Sequence, residues 1–144
     1  VRVDWLQEID TLRVEHPSLY IREEKEILPQ YVIQQLSEVT KGEALVVTGV
    51  GQHQMWAAQH YRFKEANTWI TSGGLGTMGF EVPAALGAKL GRPDKMVWSV
   101  AGDGGFQMTL SELSTAVIHK LPIKILVLDN KLIKNYRRKI KKCC

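Results

Sequence analysis

What this sequence most plainly lacks is a long apolar run. No stretch of about 18 consecutive apolar residues occurs, and no basic segment followed by an apolar core opens it, so neither a membrane span nor a secretory leader is expected. Cysteine is nearly as scarce, with Cys143 and Cys144 adjacent at the end of the 144 residues. Adjacent cysteines do not close an ordinary disulfide within a domain and lack a metal-ligand spacing; they fit a reducing compartment. Internal repeats and low-complexity linkers are missing before residue 130, which leaves room for one globular domain able to bury more than half of its unfolded surface. An initiating Met is also missing. The chain opens at Val1 directly on a helical pattern, as expected of a piece of a longer polypeptide.

Acid is missing from one place only. Residues 131–144 hold seven of the 19 Lys and Arg (Lys131, Lys134, Arg137, Arg138, Lys139, Lys141 and Lys142) and no Asp or Glu. The net charge of +4 therefore sits in a basic tail, while residues 1–130 carry 12 basic against 15 acidic side chains. A solvated tail is the expectation, with nonspecific nucleic-acid binding as its rival.

What is present alternates. Trp5, Leu6, Ile9 and Leu12 fall at helical spacing within residues 1–14, and His16-Pro17-Ser18 closes that helix. Pro29 opens a second helix, in which Tyr31, Val32, Leu36 and Val39 are expected to face inward. Ala44 to Thr48 is a short apolar run rich in β-branched residues and reads as a buried parallel strand. Further strands are expected over 68–71, 96–100 and 123–128, and helices over 53–61, 78–91 and 109–119. Strands separated by helices imply an α/β fold with a doubly wound parallel sheet and helices on both faces. Ligands of such sheets gather beyond the carboxyl ends of the strands.

Those ends carry unusual residues. Gly49-Val50-Gly51-Gln52-His53 follows the first strand and Ser72 to Gly79 the second; Gly102-Asp103-Gly104-Gly105 follows the third and Asp129-Asn130 the fourth. Glycines let backbone approach a ligand, and amides at a helix start attract anions, so Gly73 to Gly79 reads as a phosphate cradle or, more plainly, as a tight turn. Gly74, Gly76 and Gly79 also satisfy the dinucleotide pattern G-x-G-x-x-G, with Asp103 in place of the ribose-binding acid. That rival leaves unused the placement of Asp103 between glycines and of Asn130 at the end of the next strand. Two neighbouring strand ends offering a carboxylate and a carboxamide suit octahedral Mg²⁺ shared with a diphosphate, and need few Lys or Arg.

Gly102-Asp103-Gly104 followed by Asn130 resembles the signature of thiamine diphosphate enzymes. Gly51 to Gln59 together with Thr71 to Gly79 is similar, nearly word for word, to acetolactate (acetohydroxyacid) synthase large subunits. The resemblance implies the diphosphate-binding domain of such an enzyme over residues 28–130, a lead-in helix or linker over 1–27, and a divergent basic tail over 131–144. It implies Mg²⁺ ligation by Asp103, Asn130 and the main-chain carbonyl of Leu132. Val50, Gly51, Gln52, His53, Gly104 and Gly105 would line the diphosphate, and Gly76 and Met78 would meet the aminopyrimidine. His53 as a packed or capping side chain, Met78 as helix core and Asp103 as a helix cap are the plainer alternatives. Gln107 and Glu112 are expected to serve structure, and the four Trp residues packing.

The implied reaction decarboxylates pyruvate and joins the remaining acyl unit to a second 2-oxo acid, in branched-chain amino-acid synthesis. The family's activating glutamate belongs to a separate domain of a partner subunit, and its FAD to a middle domain. Neither is in this sequence, so no catalytic acid or base is assigned here. The implied assembly is a homodimer or tetramer of full-length subunits with a small regulatory subunit, without membrane or specific nucleic acid, in bacterial cytoplasm or a plastid. Pyruvate oxidase, a decarboxylase or glyoxylate carboligase are alternative enzymes, and a non-catalytic assembly module is the alternative of another class. Beyond Asn130 the family's Gly-Met turn and aromatic helix are replaced by Lys131-Leu132-Ile133-Lys134, which suggests a reading-frame change for the last 14 residues.

Overall fold

The computed structural model describes residues 2–16, 21 and 26–129. Helix α1 (Val3–Glu15) and helix α2 (Pro29–Val39) precede strand β1 (Leu45–Thr48). Then follow α3 (Gln52–His60), β2 (Trp69–Thr71), α4 (Glu81–Gly91), β3 (Val97–Gly102), α5 (Asp103–Met108), a 3₁₀ turn (Leu110–Glu112), α6 (Leu113–Ile118) and β4 (Lys124–Leu128). The four strands form one parallel sheet in the order β2-β1-β3-β4.

Strand alternation builds two cores from one sheet. Side chains of successive strand residues point to opposite faces, so Val46 of β1 and Val100 of β3 pack with Ile33 and Leu36 of α2, and Trp56 of α3 joins them. Leu45, Val47 and Val97 face the other way, onto Ala85 and its neighbours Ala84 and Ala88 of α4. Helices thus cover both faces. Each fully buried Val or Ile in these clusters contributes about 2 kcal/mol of transfer free energy.

Four local expectations need correction. The inward face of α2 is Ile33, Leu36 and Ser37, while Tyr31 and Val39 are exposed. Spacing alone had allowed either face, and Ser37 is tolerated inside because its Oγ accepts the Arg62 N–H at 3.0 Å. Helix α1 buries no residue, and Trp5, Leu6 and Leu12 stand exposed on it, so Trp5 does not pack. The helix expected from residue 78 begins at Glu81, because Gly79 takes a left-handed φ of 77° that no regular helix accepts. Within the helix expected over 109–119 the chain forms a 3₁₀ turn (Leu110–Glu112) and then only the short α6 from Leu113, and α5 (Asp103–Met108) precedes it as a helix that was not expected.

Candidate cofactor site

Connectivity creates a cleft at a definite place. From β1 the chain passes through α3 to β2 on one side, and from β3 it passes through α5 and α6 to β4 on the other. The two connections part between β1 and β3, and such a switch point is where open α/β sheets bind ligands. The loops at that edge are 49–52 and the Gly102–Asp103 junction, two of the four glycine-rich segments singled out in the sequence. Register brings them together: Thr48 pairs with Val100, and the Gly49 N–H reaches the Val100 carbonyl at 3.4 Å. On the next strand Gly102 pairs with Leu128, so β3 and β4 end side by side. Asn130 and Leu132 lie outside the described residues, as does the tail.

Asp103 is the first residue of α5 and half-buried. His53, in the first turn of α3, is buried, and its ring lies against the backbone of Gly51 and Gly102. A methyl on Gly102 would come within 3.0 Å of His53 Nδ1, so Gly102 is needed for space and not for conformation. Burial pushes the imidazole pKa below its ordinary value, and Asp103 opposes that shift. The Nε2 of His53 has no hydrogen-bond partner among the described residues. His53 is therefore both a packed side chain and a buried polar atom still lacking a partner, which is the kind of group a bound anion satisfies.

The second loop is open. Residues 73–78 are exposed, Leu75 almost completely, and Met78 is 45% exposed and sits before α4, so it is not helix core. The loop folds on itself through the Gly76 N–H to the Ser72 carbonyl at 3.0 Å and the Thr77 N–H to Ser72 Oγ at 3.1 Å, with Gly76 at a φ of 68°. A methyl added at Gly74 or Gly76 would meet no neighbouring atom within 4 Å, so the space beside that backbone is open.

Two residues of this edge escaped the sequence reading. Gln54 donates from Nε2 to Thr71 Oγ1 at 2.9 Å, and Thr71 in turn donates to the Thr48 carbonyl at 3.3 Å, so the start of α3 is tied to the tips of β2 and β1. Its partner is 17 residues away, and no local pattern announces it. Gln54→Ala is expected to cost about 1 kcal/mol of stability, read as a lower denaturation midpoint with an unchanged denaturant slope. The second is Glu81, fully buried at the start of α4, whose acidic position looks like an ordinary helix-start charge. Gln107 is exposed as expected, and Glu112 accepts only a long bond from Thr115 Oγ1 at 3.5 Å.

The edge has the features a diphosphate requires: backbone without side chains, an orphaned imidazole nitrogen and a carboxylate for a counter-ion. Segments 49–53, 72–81 and 102–109 contain no Lys or Arg. Among the described residues no three His, Cys, Asp or Glu side chains gather into a metal cluster, and no helix is long and apolar enough to cross a membrane.

The chain is 51% identical over 126 residues to acetolactate synthase 1, chloroplastic, of Nicotiana tabacum, a match covering 88% of this chain and 19% of that protein. It is 50% identical over 128 residues to the acetolactate synthase large subunit of Corynebacterium glutamicum and 49% identical over 128 residues to acetolactate synthase of Mycobacterium leprae, in each case over 88% of this chain and 20% of the relative. The chain thus spans about a fifth of the length of the curated relatives it matches. The family model described as thiamine pyrophosphate enzyme, C-terminal TPP binding domain, matches residues 49–142, from the first glycine of the β1 loop to beyond residue 130. With its parallel sheet, its switch-point loops and this match over more than half its length, the chain belongs to the thiamine pyrophosphate enzymes, as their C-terminal cofactor-binding domain.

Proposed function

We propose that this chain is the cofactor-anchoring part of an acetolactate synthase, in which Mg²⁺ bridges the protein to the diphosphate of thiamine diphosphate. The observation that carries the reading is the meeting of the β1 and β3 ends at the switch point, with β4 ending beside β3. Asp103 would give the metal a carboxylate oxygen, Asn130 a carboxamide oxygen and Leu132 a main-chain carbonyl. Hard oxygen ligands of this kind, completed by phosphate oxygens, suit octahedral Mg²⁺. The lack of Lys and Arg in the cradle segments supports the metal, because an uncompensated diphosphate would otherwise meet only neutral or acidic groups.

Val50, Gly51, Gln52 and His53 would lie along one side of the diphosphate and Gly104 and Gly105 along the other. A neutral imidazole at His53, favoured by its burial, can hold a proton on Nε2 and donate it to a phosphate oxygen. Gly76 and Met78, on the open loop, would take the aminopyrimidine, Met78 through its exposed thioether chain. When bound, thiamine diphosphate supplies the carbon nucleophile that such enzymes use on 2-oxo acids. This chain's residues orient the cofactor and hold its charge. The activating glutamate, FAD, the partner subunits and the small regulatory subunit belong to the remainder of the enzyme in this reading. Pyruvate and a second 2-oxo acid would be its substrates, and the relatives named above place such enzymes in both bacteria and chloroplasts.

Titration calorimetry of the chain with thiamine diphosphate tests this directly. Saturable binding that requires Mg²⁺ and disappears with a chelator is expected. Binding indifferent to the chelator would overturn the metal bridge, and no binding at all would overturn the anchoring role.

A further inference from the structure

Glu81 is fully buried, yet neither carboxyl oxygen makes a well-formed hydrogen bond among the described residues. Backbone N–H groups of Gly79 and of Glu81 itself act on the carboxyl, and among the described residues no cationic side chain does. A buried polar group without partners is costly, so its retention calls for a physical reason.

Its surroundings supply one. The carboxyl is wedged between two backbones from different strands: a methyl on Gly49 would collide with Oε2 and Cδ, and a methyl on Gly105 with Oε1. Gly49 and Gly105 have no left-handed φ, so it is space that demands glycine there. Gly79, at a φ of 77°, turns its backbone N–H toward the carboxyl from the β2 side, and its own α-carbon packs against Met108 and Thr109 of the α5 end. Segments following β1, β2 and β3 thus converge on one side chain.

We propose that Glu81 is a positioning residue, the spacer that fixes the separation of the β1–α3 loop from the start of α5 and so sets the width of the diphosphate cradle. The inference rests on the cofactor reading given above. Glu81 touches no ligand in it and acts through Gly49 and Gly105. Burial raises its carboxyl above the ordinary range, which favours the neutral form, and a neutral spacer does not repel the diphosphate beside it.

Two substitutions separate shape from charge. Glu81→Gln and Glu81→Ala both remove the charge, but only Ala removes the spacer. Calorimetric titration with thiamine diphosphate and Mg²⁺ is expected to give a Kd for the Ala variant about tenfold weaker than for the Gln variant, since a loosened cradle loses preorganisation. Equal affinities would overturn the spacer. Independently of any cofactor, Gly105→Ala is expected to lower the melting temperature in the Glu81 chain and to lower it much less in the Glu81→Ala chain, a non-additivity that reports direct contact. Additive shifts would overturn the proposal as well. Should the unmodified chain fail to bind thiamine diphosphate, the cofactor reading falls, and the melting cycle alone decides whether Glu81 spaces the two loops.

Discussion

Replacing Asp103 by Ala is expected to abolish Mg²⁺-dependent binding of thiamine diphosphate, with affinity falling at least about 100-fold, or roughly 2.7 kcal/mol. The size follows from what stands at that edge. Segments 49–53, 72–81 and 102–109 hold no Lys or Arg, and Asp103 supplies the carboxylate at the β3 tip, where it can recruit a cation. A divalent ion that loses its charged ligand keeps only neutral oxygens from the protein, and neutral oxygens compete poorly with water for Mg²⁺. The cost to the fold should be small, because Asp103 is half-buried and heads a helix of only six residues, where an acid contributes about 0.5 kcal/mol. Asp103→Asn keeps the shape and an oxygen, and should fall between the two. Melting curves and calorimetry on the same samples check the pair of statements. A cap residue with no metal role would show the reverse pattern, a measurable loss of stability with binding intact. The substitution also moves His53, whose imidazole pKa Asp103 holds up against burial; without the carboxylate that pKa should fall further.

The larger architecture was readable because parallel strands buried on both faces announce themselves. Ala44 to Thr48 and Met96 to Val100 are short, largely apolar runs with β-branched residues, the first followed directly by Gly49 and the second by Ala101 and then Gly102. Their shortness, β-branched content and nearby glycines set them apart from the longer helical stretches between them, so the parallel sheet was legible in the sequence. Chain order does not give strand order, however, and the position of the switch point between β1 and β3 came only with the fold. The helical faces were harder. In α2 the residues Tyr31, Val32, Leu36 and Val39 satisfy helical spacing as well as Ile33, Leu36 and Ser37 do, and a serine that finds the Arg62 amide is indistinguishable in sequence from a surface serine. Helix α1 shows the converse: Trp5 and Leu12 have the spacing of a packed helix, but nothing among the described residues buries them.

The candidate site divides in the same way. Residues whose role depends on their own backbone, such as Gly76 and Gly79 with left-handed φ, were legible as glycines in a loop. Gly49, Gly102 and Gly105 stood in the sequence as glycines at or just past strand ends, Gly105 with a diphosphate role implied by resemblance; in the fold Gly102 makes room for His53, and Gly49 and Gly105 make room for Glu81. A missing side chain has two explanations in sequence, a ligand outside or a neighbour inside, and only the packing distinguishes them. His53 occupies both descriptions at once.

Glu81→Gln should stabilise the chain at neutral pH, because glutamine keeps the shape of the buried side chain and cannot ionise where burial penalises the charged form. The direction comes from linkage. Burial raises the folded-state pKa of Glu81 above its ordinary value of 4.5, because the ionised form is the one that loses most on leaving water. An acid whose pKa is higher in the folded state binds its proton more tightly there. The proton's contribution to stability is complete below the unfolded value and is lost as pH rises through the folded one. Near pH 4 the parent and the glutamine variant should therefore unfold at nearly the same denaturant concentration, since both carry a neutral side chain of the same shape. As pH climbs toward 7, the parent should fall progressively behind. His53, whose pKa burial lowers, is present in both proteins and cancels in the difference. Denaturant midpoints measured at several pH values on the two chains read the effect directly. A difference that stays constant with pH would mean that the Glu81 carboxyl titrates alike in folded and unfolded chains, and a parent more stable than the variant at neutral pH would mean that a cation or donor pairs with it in solution.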